Sequence, residues 1–73
     1  MIIYITNFYD EDGPQEMRAH LSRESLFKYI CDNYQSHIDA VTEILLKYPD
    51  EELNGIYCDH GWGGLQIHAL VAT

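Results

Sequence analysis

The spacing of apolar residues changes twice along this chain, and these changes constrain its fold more than any other feature. Residues 2–9 are rich in β-branched and aromatic side chains, as strands are. Between residues 22 and 49 the apolar side chains instead recur at the spacing of one helix face. The strand pattern then returns over residues 56–60 and 65–71. The sequence therefore predicts strands at both ends of the chain and helices between them.

The first predicted strand carries apolar side chains on both faces, which is typical of a strand at the centre of a sheet or beneath a second layer. After a Gly-Pro turn, residues 15–21 alternate between polar and apolar side chains. We interpret this segment as a half-buried strand that pairs with the first. Its expected buried face consists of Met17, Ala19 and Leu21.

Two helices are predicted in the middle of the chain. Ser22 is a favourable N-cap for the first, because its side-chain oxygen can accept a hydrogen bond from an unpaired backbone N–H group. Ser36 is expected to open the second, with Asp39 three positions later in a variant of the capping box. Pro49 ends this helix, since the residue before a proline avoids the helical conformation. Residues 50–53 are expected to form one further turn.

The last two strands are separated by a glycine-rich segment, residues 61–64, which fits a hairpin loop. The whole chain, residues 1–73, is therefore predicted to be one α+β domain with element order ββααββ. We expect a small antiparallel sheet of four strands with two helices packed on one face. Apolar residues expected on the outer sheet face, and hence at a homodimer or partner surface, are Tyr4, Phe8 and Leu70.

The short length and the N-terminal sequence bear on the size of the core and on the compartment in which the protein is expected. With 73 residues, the chain has room for only a small core. The N-terminus lacks the basic region of a secretion signal, and no apolar run is as long as a membrane span. We therefore expect a cytoplasmic protein, and we interpret Cys31 and Cys58 as two thiols rather than a disulfide.

Charge is the most informative guide to function. Twelve acidic residues face four basic ones, for a formal charge of -8. This excess disfavours direct binding to nucleic acid or to an anionic membrane, both of which need a basic surface. It fits either simple solubility or docking on a basic protein. The clustered carboxylates are candidate partner-binding residues: Asp10, Glu11, Asp12, Asp39, Glu43, Asp50, Glu51, Glu52 and Asp59.

Aromatic residues accompany these clusters. Tyr9 precedes the first cluster, Tyr48 lies two residues before Asp50, and Trp62 follows Asp59 closely. Tyrosine and tryptophan are common anchors of protein interfaces. Tyr9, Tyr48 and Trp62 are therefore further candidates for partner contact, although tyrosines also fill small cores.

A metal site or a thiol enzyme is the alternative from a different class. Cys58 and His60 lie two positions apart, so on a strand their side chains share a face. A zinc site would need more ligands, for which His20, His37 and His68 are available, but the paired spacing of structural zinc sites is missing. A thiol–imidazole pair would also need an oxyanion-binding group. We therefore expect no enzyme activity, metal or cofactor.

In its small size, acidity and tyrosine content, the chain resembles inhibitor proteins of phages and mobile elements, such as anti-CRISPR and anti-restriction proteins. That resemblance implies a DNA-mimic-like inhibitor that acts in the host cytoplasm by occupying the basic channel of a nucleic-acid-binding enzyme or complex. An antitoxin or immunity protein, which neutralises a toxin, would share the same acidity and aromatic anchors.

Overall fold

The computed structural model describes the backbone of residues 1–60 and 63–71 and the side chains of residues 1–56 and 64–71. The elements follow the predicted order ββααββ, with a short 3₁₀ turn before the second helix and another before the third strand. Their bounds are β1 Ile2–Asp10, β2 Gly13–His20, α1 Arg23–Asn33, the first 3₁₀ turn Gln35–His37, α2 Ile38–Lys47, the second 3₁₀ turn Asp50–Glu52, β3 Asn54–His60 and β4 Gly63–Val71.

The four strands form one antiparallel sheet in the order β2-β1-β4-β3. The first and last strands are thus central neighbours, with β1 and β4 in register from Ile2 opposite Val71 to Asp10 opposite Gly63. The central position predicted for β1 is confirmed. In β3 the register shifts at Gly55, whose φ of 77° is a left-handed conformation that favours glycine.

The core lies between the sheet and both helices. Tyr4, Leu65 and Ile67 are buried on one face of the sheet. They belong to the same cluster as the buried helix residues, which are Leu26 and Ile30 of α1 and Val41 of α2. The two helices therefore cover a single sheet face, and the predicted α+β fold is confirmed. No helix within the described residues is long and apolar enough to cross a membrane.

The two predicted N-caps have different outcomes. Ser22 does cap α1, because its hydroxyl accepts a hydrogen bond from the Ser25 N–H at 3.0 Å. The prediction for Ser36 is wrong: α2 begins at Ile38 and no side chain caps its first turn. Ser36 lies within the first 3₁₀ turn, and its Oγ is 3.1 Å from His37 Nδ1. Its hydroxyl is thus directed to an imidazole instead of to the backbone.

The expected position of two aromatic residues is also wrong. Tyr4 and Phe8 point toward the helices, since Tyr4 is part of the core and the Phe8 ring stacks on Tyr34 with centroids 4.8 Å apart. Leu70 does lie on the outer sheet face, where it is 52% exposed. Because β1 is apolar on both faces, its sequence pattern could not select the face that the helices cover.

In β2 the buried and exposed faces are the reverse of those predicted. Met17 is 69% exposed, and Ala19 is exposed beside it, so the apolar alternation marks the uncovered face. His20 is buried instead, opposite Tyr4, and its Nε2 lies 3.0 Å from the Thr6 hydroxyl. The register with β1 decides this arrangement, since a shift of one residue would exchange the two faces.

Candidate functional site

The first acidic cluster forms the turn between β1 and β2. The Asp10 carboxylate accepts a hydrogen bond from the Asp12 N–H at 2.8 Å, which stabilises the turn. Glu11 and Asp12 are exposed, whereas Asp10 is half-buried. This turn therefore presents two carboxylates to solvent at one end of the sheet.

A second acidic surface follows α2 into the second 3₁₀ turn. Asp39 and Glu43 are one helical turn apart, and both are exposed. Glu51 and Glu52 are exposed in the 3₁₀ turn that comes after the helix. We name these four residues the acidic strip.

Asp50 belongs to the predicted acidic set but already has partners inside the protein. Its Oδ1 accepts hydrogen bonds from Arg23 Nε and Nη2, at 2.9 and 2.8 Å, and from the Tyr4 hydroxyl at 3.0 Å. The same guanidinium donates to the carbonyl oxygens of Leu45 and Tyr48, at 2.7 and 2.9 Å. The hydrogen bonds from Arg23, and then the one from Tyr4, hold the pKa of Asp50 below its ordinary value. Asp50 therefore has a structural role.

The turn at Asp10 and the second 3₁₀ turn lie at opposite ends of the molecule. Asp50 bonds to Tyr4 near the start of β1, whereas Asp10 ends that strand. The protein is 34 Å long on its longest axis, so a nine-residue strand spans most of that length. α2 runs between these ends, because His37 before it contacts the Phe8 ring and Tyr48 after it bonds to Arg23.

Most acidic side chains of the described residues are not neutralised by a basic partner. Among the described residues, the ion pairs are Arg18 with Glu16 and Arg23 with Asp50. Lys47 lies over the Tyr48 ring, 5.5 Å from its centroid. The exposed carboxylates of the described residues, which these ion pairs leave unpaired, are Glu11, Asp12, Glu24, Asp32, Asp39, Glu43, Glu51 and Glu52.

An open cleft adjoins the acidic strip. Its volume is about 490 Å³, and its lining includes the apolar side chains of Ile2, Leu53 and Val71. Asp50 and Glu51 supply carboxylates to the same lining. A cleft with apolar walls and an acidic side suits a lysine or arginine side chain, whose stem is apolar and whose head is cationic.

The candidate aromatic anchors lie in different places. Tyr9 is half-buried, and its hydroxyl donates a hydrogen bond to Gln66 Oε1 at 3.0 Å. Tyr48 is half-buried against the core. Neither tyrosine projects freely beside the acidic strip. The side chains of Trp62 and Asp59 lie outside the described residues.

The alternative metal or thiol site rests on Cys58 and His60, whose side chains also lie outside the described residues. The other candidate ligands are apart in the fold: His20 faces the helices, whereas His68 is at an outward-facing position of β4 opposite Ile5. In the part of the chain that the structure describes, no group of three potential metal ligands is found. Cys31 is a half-buried thiol that forms no disulfide.

The sequence pattern identified only part of the outer face of the sheet: Leu70 was correctly placed there, whereas Tyr4 and Phe8 were not. The outer face contains Ile3, Ile5, Asn7 and Tyr9 of β1, Met17 and Ala19 of β2, and Gln66, His68 and Leu70 of β4. None of these side chains is an acidic residue, a lysine or an arginine. β3 adds Tyr57 and Asp59 at outward register positions, and their side chains lie outside the described residues. The alternation of polar and apolar residues in β2 did distinguish two faces of the strand, but the apolar side chains lie on the outer face instead of the buried one.

Comparisons with protein-family models, with curated proteins and with solved structures found no match. The arrangement that bears on function is a helix layer with unpaired carboxylates on one side of the molecule and, on the other, a sheet face whose described side chains include no acidic residue, lysine or arginine.

Proposed function

We propose that this protein is a small acidic inhibitor that occupies the basic surface of a nucleic-acid-binding enzyme or complex, as anti-CRISPR and anti-restriction proteins do. The observation that carries the proposal is the set of exposed carboxylates without a basic partner among the described residues. Such a surface attracts a basic partner over long range and accelerates association.

The acidic strip is the best-placed docking surface. Asp39 and Glu43 lie on an exposed face of α2, and Glu51 and Glu52 are exposed in the 3₁₀ turn that follows the helix and Lys47. The neighbouring cleft provides room for one basic side chain of the partner. Exposed carboxylates next to such a cleft fit a channel that normally holds a phosphate backbone.

The proposal is tested by capture of partners from a nuclease-treated bacterial lysate on the immobilised protein, at low and moderate salt. The strip variant combines Asp39→Asn with Glu43→Gln. The control variant combines Glu24→Gln with Asp32→Asn on α1, which removes the same charge. Each pair contains one acidic residue from the first turn of its helix, so the loss of a favourable charge at the helix N-terminus is common to both variants.

We expect the strip variant to bind the captured enzyme about fivefold more weakly, since each exposed charge contributes roughly 0.5 kcal/mol. The control variant should retain nearly the affinity of the original chain, and the captured enzyme should lose binding to labelled DNA when the original chain is added. Equal affinity and equal salt dependence for all three proteins would refute the acidic-docking proposal. Capture of a single toxin would support an antitoxin instead.

A further inference from the structure

The outer face of the sheet stands out in a chain of this composition. Charged residues make up 22% of the sequence, yet none lies among the nine described side chains of the outer face named above. Met17 and Leu70 are 69% and 52% exposed on it. An exposed apolar area without charge is typical of an interaction site.

Two polar side chains of this face, Tyr9 and Gln66, are compatible with burial. The Tyr9 hydroxyl and Gln66 are already hydrogen-bonded to each other, so covering them leaves that pair satisfied. Ile3 and Ile5 lie at adjacent outward positions on the central strand. A covering surface over β2, β1 and β4 would thus bury apolar side chains, and the one aspartate at an outward register position, Asp59, belongs to the edge strand β3.

We infer that the outer face binds a second copy of this chain, with the two sheets packed face to face. The net charge of -8 disfavours contact between copies through any acidic surface. Face-to-face packing separates the sheets by ~10 Å and puts both helix layers outside, so the two acidic strips are ~30 Å apart, beyond the Debye length of ~8–10 Å. A basic partner would instead be attracted to the helix layer.

The area of the face supports a weak dimer. Four strands at ~4.8 Å spacing and about eight residues at ~3.3 Å each give a footprint of ~500 Å² per copy. Two copies would bury ~1,000 Å², which is near the lower limit for a specific interface. A small domain also gains core from such packing, because its own core is limited by its size. We expect a reversible dimer with a micromolar dissociation constant.

The test is sedimentation velocity on a concentration series, with two variants that place lysine at an exposed apolar position. Because each copy carries the substitution, Met17→Lys introduces one lysine from each copy, and hence two positive charges, into the inferred interface. Leu46→Lys is the matched control, because Leu46 is 84% exposed on α2. Both positions are at the surface, so both monomers should stay folded, which circular dichroism verifies.

We expect the original chain and Leu46→Lys to dimerise alike, and Met17→Lys to dissociate at least tenfold more readily. Added salt should not weaken the dimer, since the acidic strips of the two copies are farther apart than the Debye length. A monomer at ~200 µM would overturn the inference, given the affinity expected for this area. So would a dimer that Met17→Lys leaves intact, or one that Leu46→Lys disrupts. The acidic strip is unchanged in both variants, so this result is independent of the proposed inhibitory function.

Discussion

Arg23 connects the start of α1 to the end of α2. Its guanidinium satisfies two carbonyl oxygens, those of Leu45 and Tyr48, which the helix itself leaves unpaired. It also binds the carboxylate of Asp50, and its Cζ lies 5.9 Å from the centroid of the Tyr4 ring. One arginine thus holds together two helices, the second 3₁₀ turn and the central strand.

Asp50→Asn should therefore destabilise the protein, whereas Glu52→Gln in the same 3₁₀ turn should not. Loss of the charged acceptor is expected to cost about 1–2 kcal/mol and to lower the melting temperature by about 5–10 °C. Thermal unfolding at neutral pH measures both variants. Equal melting temperatures would show that the Arg23–Asp50 pair contributes no stability.

The Asp50 carboxylate is expected to make the stability of the protein depend on pH in the acidic range. The pKa of Asp50 is lowered in the folded state by the hydrogen bonds from Arg23 and Tyr4, so its contribution is present above the ordinary aspartate pKa. That contribution is lost as the pH falls through the folded-state pKa. The stability difference between the original chain and Asp50→Asn should accordingly shrink as the pH falls below about 4.

His20 is expected to make stability depend on pH in a second, higher pH range. Burial, and then the charge of Arg18, lower the pKa of His20, so the unfolded chain binds a proton more readily than the folded one. Its contribution to stability is present above the ordinary histidine pKa and is lost as the pH falls. The free energy of unfolding should therefore decrease from about pH 7 to pH 5.

Chemical denaturation at several pH values, together with NMR titration of the imidazole, checks this effect. Arg18→Gln should raise the pKa of His20 and make the pH dependence shallower. Lys47→Gln removes one positive charge on α2 and should leave the titration of His20 unchanged. A titration midpoint for His20 at or above the ordinary value would contradict the assignment.

The two serines before the helices form a natural comparison at the scale of the element. Ser22→Ala should cost about 1 kcal/mol, because its hydroxyl accepts the hydrogen bond of the Ser25 N–H. Ser36→Ala should have a smaller effect, since Ser36 does not cap α2. Denaturant unfolding of both variants measures the difference. A larger loss for Ser36→Ala would place the functional cap of α2 at that residue.

The elements themselves were largely predictable. As predicted, α2 ends just before Pro49: its last residue is Lys47 and its C-cap is Tyr48. The further turn expected after the proline is the second 3₁₀ turn. These features depend on local backbone chemistry, so a single sequence is sufficient to predict them. The error at Ser36 is of another kind, because the first 3₁₀ turn and the neighbouring imidazole direct its hydroxyl away from the helix.

At the scale of the whole molecule, the structure separates charge from apolar surface. Asp39, Glu43 and Lys47 of α2 are on the helix side, and the described part of the outer face carries no such charge. The two proposals use opposite sides, so one copy could bind a basic partner through its helices while the sheet binds a second copy. The two sets of variants, which change separate surfaces, distinguish these activities.

The sequence by itself determined the order of the elements, the central place of β1, the cap at Ser22 and the excess of negative charge, because each follows from local pattern or composition. Only the tertiary structure decided which face of β1 and β2 is buried, since Tyr4, Phe8 and the apolar alternation of β2 are compatible with either face. Pairing puts Tyr4 and His20 on the same face of the sheet, and the helices that pack against Tyr4 bury that face. The tertiary structure also gave Asp50 a different role from its neighbours: Asp50 is bound by Arg23, which is distant in the sequence, whereas Glu51 and Glu52 are exposed. Contacts between residues far apart in the chain carry this information, and no local pattern encodes them.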